Sequence, residues 1–211
     1  MSPSVRTWLA RCCFLIAAIL LGWWLYVVID ARVYQERMGR RLHKSTGEAT
    51  AHATRERARS TGLVGRIEIP RLDLAVVVVE GTTSRVLRRG VGHVEGTSFP
   101  GEQGNVGVAG HRDTYFRRLR NIGRGDLIRL RTPDGVFTYA VDSILIVKPS
   151  RGDLLDATDR PALTLVTCYP FYYVGPAPRR FVVRAHQESV RSASSGAPIG
   201  PGGTLAARSS H

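Results

Sequence analysis

The sequence predicts a mainly β protein: a closed barrel of eight short strands with a few short helices, preceded by one membrane-spanning helix. Three observations predict this fold. Between residues 63 and 187, short apolar or alternating runs recur, separated by turn residues. Helical periodicity in the same region is brief. An uncharged, largely apolar run of 18 residues lies near the N-terminus. Regular short strands with few helices are typical of a sandwich or a barrel, and we predict a closed barrel.

The apolar run at residues 12–29 is predicted to be an uncleaved membrane anchor within a first segment, residues 1–30. A helix rises about 1.5 Å per residue, so the run spans roughly 27 Å, just enough for a bilayer core. A cleaved signal peptide would have an apolar region of about 7–15 residues that ends in a small-residue cleavage site. This run is longer and lacks such a site. We therefore expect a single-pass protein of the cell membrane.

The second segment, residues 31–62, is predicted to be a basic juxtamembrane stalk. The net charge of the chain is +13 with a pI near 10.7, and the basic residues are densest in this segment. Such a segment suits contact with anionic membrane lipids. Nucleic-acid binding is the rival interpretation of a high pI. No zinc-ligand pattern, RNP-like run or basic helix accompanies the charge, so we predict no nucleic-acid partner.

The predicted barrel occupies residues 63–187. Its strands lie at residues 65–69, 72–79, 106–109, 127–131, 136–141, 141–147, 163–167 and 181–185. The turn sequence TPDG at 132–135 predicts a hairpin between the fourth and fifth strands. Short helices are predicted at 84–89 and 115–119, with a turn at 153–157. The last segment, residues 188–211, is rich in Ser, Ala, Gly and Pro and is predicted to be disordered, because it cannot bury enough surface to offset its ordering entropy.

Cys168 is the one cysteine outside the apolar N-terminal run, which holds Cys12 and Cys13. A lone cysteine with histidines elsewhere in the chain is a candidate nucleophile. The alternative is a buried core residue, since free cysteine is among the most buried residue types. An exported domain with no second cysteine offers no disulfide partner within the fold, and this favours a chemical role.

A cysteine nucleophile needs a base that takes the thiol proton and donors that stabilise an oxyanion. His111 follows a predicted strand at a strand-to-loop edge, where function often concentrates. Arginine supplies permanently charged donors. Arg180 and Arg184 lie four residues apart, so both point to one face of the strand after Cys168. The pattern alone does not choose between these two arginines.

Several motifs resemble those of sortases, the membrane-anchored cysteine transpeptidases of bacterial surfaces. The run TLVTC at 164–168 resembles the family's TLxTC signature, and GNVGVAGHRDTYF at 104–116 resembles its histidine motif. Residues 90–101 match the pattern GxGHxxGTxxPG. Residues 177–183 are similar to the family's arginine strand, which places the functional arginine at Arg180. The resemblance covers residues 64–186, and the continuation CYPFYY at 168–173 is most like class D sortases.

The resemblance implies a sortase-like eight-stranded barrel and a ping-pong mechanism. Cys168 would attack the Thr–Gly or Thr–Ala bond of an LPxTG-like sorting signal and form a thioacyl enzyme. His111 would protonate the leaving amine and later deprotonate the incoming one, while Arg180 would hold the oxyanion or position the substrate. Thr167, Tyr169 and His93 are expected to contribute to substrate binding.

The resemblance also implies the partners: a protein with an LPxTG-like sorting signal, an amine acceptor on the cell envelope or a pilin, and membrane lipids. No cofactor and no metal site are predicted. Class A sortases bind calcium through acidic loop residues, and no residues of this chain match them, so calcium stimulation is left open.

The resemblance implies an extracytoplasmic catalytic domain, but the charges that flank the apolar run do not support this orientation clearly. Two arginines precede the run and five basic residues follow it: Arg6, Arg11, Arg32, Arg37, Arg40, Arg41 and Lys44. By itself, the positive-inside rule would place the C-terminal side in the cytoplasm.

Two rival functions fit parts of the pattern. A membrane-tethered cysteine peptidase or hydrolase would use the same thioacyl intermediate with water as the acceptor. A non-catalytic surface barrel would bind an extended peptide without cleaving it. A dinucleotide-binding role is weaker, because GVGHVEG at 90–96 has one residue too many for GxGxxG and lacks a βαβ frame.

Overall fold

Eight β-strands close into a barrel in the computed structural model, which describes residues 3–44, 51–173 and 175–191. In chain order they are β1 (Leu63–Ile69), β2 (Leu74–Glu80), β3 (Val91–His93), β4 (Asn105–Gly110), β5 (Leu127–Thr132), β6 (Gly135–Val147), β7 (Ala162–Tyr169) and β8 (Arg179–Arg191). Around the barrel their order is β1-β2-β3-β4-β7-β8-β6-β5. The pairs β2–β3 and β4–β7 are parallel and the others antiparallel. The predicted closed barrel is confirmed.

The predicted number of strands is right, although two individual strands differ from the prediction. β3 was not predicted, because it is three residues long and its central Gly92 suggests a loop. β6 was predicted as two strands but is one strand of 13 residues. Two register shifts against β8, near Thr138 and near Asp142, bend β6 without ending its pairing.

Within the described residues, three α-helices accompany the barrel: α1 (Pro3–Lys44), α2 (Ala51–Thr61) and α3 (Ser84–Arg89). Within α1, Arg11–Gly39 is long and apolar enough to cross a membrane, with a mean hydropathy of 2.5 in its most apolar window. The predicted helix at 84–89 is present as α3, and the one at 115–119 is a 3₁₀ helix, Tyr115–Asn121. Two further 3₁₀ helices are Pro70–Leu72, which delays the start of β2, and Gly152–Leu155.

Alternate residues of each strand fill the barrel. On β7, Leu163 and Leu165 are fully buried in the core, as is Val183 on β8. Each such side chain stabilises the fold by roughly 1.5–3 kcal/mol relative to an exposed position. Because strand side chains alternate between faces, the residues between them point away from the barrel interior. Cys168 belongs to this outward set.

Residues 31–62, predicted to be a stalk, contact the barrel through α2. Thr54 and Ala58 are each 1% exposed. The Thr54 hydroxyl donates to the buried Asp134 carboxylate at 2.5 Å, and Arg57 donates to the same group at 3.2 Å. Asp134 lies in the β5–β6 turn, so α2 fastens this turn. Part of the predicted stalk therefore packs as an element of the barrel.

At the other end of the chain, β8 extends to Arg191, which pairs with Val136 on β6. The first four residues of the segment predicted to be disordered are therefore strand residues. The remainder of that segment, residues 192–211, lies outside the described residues.

Candidate active site

Three adjacent strands carry the candidate catalytic residues to one end of the barrel. In the parallel pair β4–β7, Gly110 lies opposite Thr167. His111 directly follows the end of β4, and Cys168 is the next residue of β7. In the antiparallel pair β7–β8, Cys168 lies directly opposite Arg180. Opposite residues of an antiparallel pair have Cβ atoms about 4.5–5.5 Å apart. The register thus brings His111, Cys168 and Arg180 together side by side.

The three residues lie on the outer face of the barrel. Cys168 alternates with Thr167, which is buried and on the core side with Leu165. The outward positions of the three strands form a strip that leads to Cys168. They are Gly107 and Ala109 on β4, Thr164 and Val166 on β7, and Val182 and Arg184 on β8. Along β4 the strip has only small residues: Ala109 is half-buried, whereas Gly107 is covered by Thr97 and Leu155.

The register also separates the two candidate arginines. Arg184 lies opposite Thr164, four residues from the position opposite Cys168. At about 3.4 Å per residue, this places it roughly 14 Å along the strand from Arg180. Arg184 is closer to the 3₁₀ helix Gly152–Leu155, which contains Asp153. The Arg151 guanidinium, which donates to both carboxylate oxygens of Asp153 at 2.7 Å, is the main reason that the pKa of that carboxyl is lowered, and the positive charge of Arg184 contributes to lowering it.

The candidate side chains have unused hydrogen-bonding capacity. Within the described residues, neither the His111 ring nor the Cys168 sulfur makes a hydrogen bond or ion pair, and both residues are half-buried. Arg180 donates from Nη1 to the carbonyl oxygens of Ala177 and Arg179 at 3.3 and 3.2 Å. Its Nε and Nη2 groups have no partner among these residues. The guanidinium is thus held at the start of β8 with donors available to a ligand.

Close packing beneath His111 explains the Ala-Gly-His sequence of its motif. A Cβ atom on Gly110 would lie 2.6 Å from Phe116 Cδ2 and 2.9 Å from Val91 Cγ1. The Phe116 amide in turn donates to the His111 carbonyl at 3.3 Å. The Thr167 hydroxyl donates to the Gly110 carbonyl at 2.7 Å and ties β7 to β4 beside the histidine. Gly110 therefore sets the position of the His111 backbone.

We expect Gly110→Ala to lower kcat/KM on the order of 10²-fold, because the added methyl group must displace Phe116 and shift His111, and a displacement near 1 Å costs that much. Steady-state kinetics of the purified protein would measure this. Gly152→Ala is the matched control, since no atom lies within 4 Å of its Cβ position. Equal activity of the two variants would contradict this role for Gly110.

Two of the predicted substrate-binding residues point away from the Cys168 face. Thr167 is buried, and its hydroxyl is engaged with Gly110. Tyr169 packs against the core, with its ring centroid 6.4 Å from that of Phe181 and 6.0 Å from that of Phe171. The structure therefore gives both residues positions from which they support the strand end that carries Cys168.

His93, the third predicted substrate-binding residue, is fully buried on β3. Its Nδ1 lies 2.8 Å from a Glu80 carboxylate oxygen, and its Nε2 lies 3.0 Å from the Ser98 carbonyl and 3.1 Å from the Thr97 hydroxyl. Its ring packs 4.5 Å from that of Phe99. The structure does not bring His93 to the Cys168 group, and its contacts hold the loop between β3 and β4.

We expect His93→Ala to lower the free energy of unfolding by about 1–3 kcal/mol, the range for leaving buried hydrogen-bonding groups without partners. The kcat/KM of the folded fraction should stay near that of the unchanged protein. Urea denaturation followed by circular dichroism, together with kinetics, separates the two effects. His186→Ala is the control, because His186 is exposed and pairs with Asp142 at the surface. A large loss of kcat/KM at unchanged stability would show instead that His93 contacts substrate.

Arginines after His111 hold the loop that follows Cys168, a feature that the sequence analysis missed. Arg112 donates from Nη2 to the Gly175 carbonyl at 2.8 Å, and its guanidinium lies 5.7 Å from the Tyr173 ring centroid. Arg120 donates to the Tyr172 hydroxyl and lies 5.4 Å from that ring. The sequence did contain a signal for these contacts: an aromatic run follows the cysteine and several arginines follow the histidine, and arginines pack against aromatic rings.

Comparisons with known proteins show which family the chain belongs to. The family model described as the sortase domain matches residues 67–188. The chain belongs to the sortase family. Sortase D of Bacillus subtilis is 34% identical over 156 residues, which cover 74% of this chain and 77% of that protein. Sortases are cysteine transpeptidases, so the predicted enzyme class is confirmed.

Solved structures of other sortases show the same barrel. A sortase D5 transpeptidase from Clostridium perfringens aligns with a TM-score of 0.62 at 26% identity, over 76% of this chain and 99% of that one. Sortase C-1 from Streptococcus pneumoniae aligns with a TM-score of 0.57 at 30% identity, over 61% of this chain and 68% of that one. The described residues of this sortase contain no group of three or more His, Cys, Asp or Glu side chains that could hold a metal ion.

Proposed function

We propose that this sortase cleaves an LPxTG-like sorting signal through a thioacyl intermediate on Cys168 and transfers the protein to an amine acceptor on the cell envelope or a pilin. The observation that carries the proposal is the register of β4, β7 and β8, which aligns His111, Cys168 and Arg180 at one end of the barrel's outer face. A nucleophile, a base and a charged donor on adjacent strands fit the requirements of acyl transfer.

In the first half-reaction, Cys168 gives its proton to His111, and its sulfur attacks the carbonyl carbon of the scissile amide. A sulfur–carbon bond forms and the carbonyl becomes an oxyanion. When the oxyanion collapses, the carbon–nitrogen bond breaks, and His111 donates its proton to the leaving amine. The product is a thioester between Cys168 and the N-terminal part of the substrate.

The second half-reaction reverses these steps with a new amine. His111 removes a proton from the incoming amine as the amine attacks the thioester carbonyl. Collapse of the second oxyanion breaks the sulfur–carbon bond and releases Cys168. The half-buried position of Cys168 leaves its outward side open to an amine.

Arg180 stabilises both oxyanions. It is opposite Cys168 in the strand pair, and its Nε and Nη2 groups are not engaged within the described residues. A guanidinium keeps its charge at all relevant pH values and presents several N–H groups in a fixed plane. Donors fixed in advance at the developing charge are usually the largest single contribution to this kind of catalysis.

The outward strip beside Cys168 is the proposed binding surface for the sorting signal. Ala109 on β4 is small and half-buried, and the surface ends at Gly107, which Thr97 and Leu155 cover, since both lie within about 3 Å of its Cβ position. The half-buried Val166, opposite Ala109, supplies an apolar surface beside it. An extended peptide with an apolar residue fits this small, partly apolar surface better than a bulky or folded ligand.

We propose that α1 anchors the enzyme in the membrane with the barrel on the extracytoplasmic side, where exported substrates and envelope amines are found. The apolar helix suits a single membrane anchor. The basic residues that follow the span then lie beside lipid head groups, to which they are attracted.

The test is a peptide assay with the full-length protein in detergent. A fluorogenic LPxTG peptide is incubated with triglycine or with N-acetyl-triglycine, which has no free amine, and products are identified by mass spectrometry. We expect a peptide–triglycine product only with the free amine. Hydrolysis at the same rate under both conditions would show a peptidase instead, and binding without cleavage would show a peptide-binding barrel.

A further inference from the structure

A cavity of about 290 Å³ lies between α1 and α3, away from the strands that carry Cys168. Its lining combines aromatic and apolar side chains with arginines. The residues are Trp23, Tyr26, Val27, Asp30 and Ala31 from α1, and Arg85, Arg88 and Arg89 from α3. It shares no residue with the proposed active site.

The contacts between α1 and the barrel fix this cavity in place. Arg89 forms an ion pair with Asp30 at 2.9 Å, and its guanidinium lies 5.5 Å from the Tyr34 ring centroid. The Gln35 amide donates to the Arg89 carbonyl at 2.6 Å, and its oxygen accepts from the Val77 amide at 2.8 Å. α1 is therefore docked against α3 and the edge of β2 directly after the apolar run.

The cavity lies where the apolar run ends. Asp30 is the first charged residue after the run at 12–29, and Trp23 and Tyr26 have ring centroids 6.3 Å apart within its last two turns. Trp and Tyr concentrate at the boundary between hydrocarbon and lipid head groups. If α1 spans the bilayer, α3 is held at the level of the head groups.

The cavity has a surplus of positive charge. Arg89 is matched by Asp30, whereas Arg85 and Arg88 are exposed and make no ion pair or hydrogen bond with any residue that the structure describes. Two unmatched guanidinium groups thus face an aromatic and aliphatic wall. A ligand that fits has a phosphate at one end and a hydrocarbon chain at the other, because guanidinium binds phosphate in a bidentate manner.

We propose that this cavity binds an anionic phospholipid of the membrane that α1 spans, with the phosphate at Arg85 and Arg88 and the upper acyl chain against Trp23 and Val27. This inference rests on the membrane anchorage in the proposed function. A lipid bound between α1 and α3 adds a contact that fixes the barrel's orientation toward the membrane.

The chain offers its own probe, because its three tryptophans all lie in α1. In a Trp8→Phe/Trp24→Phe background, fluorescence comes from Trp23 at the cavity. The full-length protein is placed in vesicles of phosphatidylcholine and phosphatidylglycerol, in which either one lipid or the other carries brominated chains. The ratio of quenching gives the lipid composition next to Trp23.

We expect phosphatidylglycerol to be enriched roughly fivefold or more beside Trp23, the size of attraction that basic groups near a membrane produce. Arg85→Gln/Arg88→Gln should return the local composition to that of the bulk bilayer. Arg124→Gln/Arg160→Gln removes the same charge from exposed loop positions and should leave the enrichment unchanged.

The outcomes separate the inference from its premise. The lipid site is overturned if the enrichment survives in Arg85→Gln/Arg88→Gln. It is also overturned if Arg124→Gln/Arg160→Gln abolishes the enrichment to the same extent. Loss of the enrichment on adding inorganic phosphate at matched ionic strength assigns the site to a soluble phosphate and overturns the lipid as occupant. Absence of quenching by either brominated lipid contradicts the anchorage itself, while peptide cleavage tests the active site independently.

Discussion

Replacing Cys168 with alanine is expected to lower transpeptidation by roughly 10⁴–10⁶-fold, the range seen when a catalytic nucleophile is removed. The outward strip and Arg180 are untouched by this change, so peptide binding should persist while turnover stops. Steady-state kinetics with a fluorogenic sorting peptide measure the first effect, and fluorescence anisotropy of a labelled peptide measures the second.

Cys12→Ala/Cys13→Ala is the matched control, because these cysteines lie in the apolar part of α1, far from the barrel end. This variant should retain full activity. If Cys168→Ala kept turnover above a hundredth of that of the control, the nucleophile would have to be another residue.

Removing the guanidinium of Arg180 has the second-largest expected effect. We expect Arg180→Ala to lower kcat by roughly 10²–10³-fold, the size of losing one oxyanion donor, with a smaller change in KM. Arg180→Lys should recover only part of the loss, because an ammonium group lacks the planar fork of donors. Pre-steady-state kinetics would locate the loss in the acylation step.

Arg184→Ala is the internal control for this prediction. Arg184 shares the strand face of Arg180 but lies opposite Thr164. Its removal should have little effect on kcat. A small loss of kcat in Arg180→Ala together with a large loss in Arg184→Ala would show that Arg184 holds the oxyanion. That result would contradict the register argument.

The sequence predicted the barrel because its strands are short, apolar and separated by strong turn residues. The hairpin around Thr132 and Gly135 is one example. β3 was missed because three residues with a central Gly92 have no alternation to detect. β6 was divided because the sequence does not reveal that bulges against β8 let one strand bend without ending. Local pattern thus determined the fold class, and pairing between distant strands determined the strand boundaries.

The candidate site was predictable in part from local sequence motifs. Motifs pointed to His111, Cys168 and Arg180, and the register brings them together. Their catalytic roles stay predictions. The burial of His93 was not visible in the sequence, because flanking glycines suit an exposed loop as well as a tightly packed strand. The docking of α1 and α2 was also hidden, since single contacts such as Gln35 to Val77 leave no periodic pattern.

The central claim is that the acyl group passes through Cys168, and mass spectrometry of the digested acyl-enzyme tests it most directly. The full-length enzyme is mixed with an LPxTG peptide in the absence of an amine, quenched in acid, and digested. We predict a mass increase equal to the N-terminal part of the peptide, located on the fragment that contains Cys168 and removed by triglycine. An adduct on another residue, or product formation with no adduct at any time point, would contradict the account.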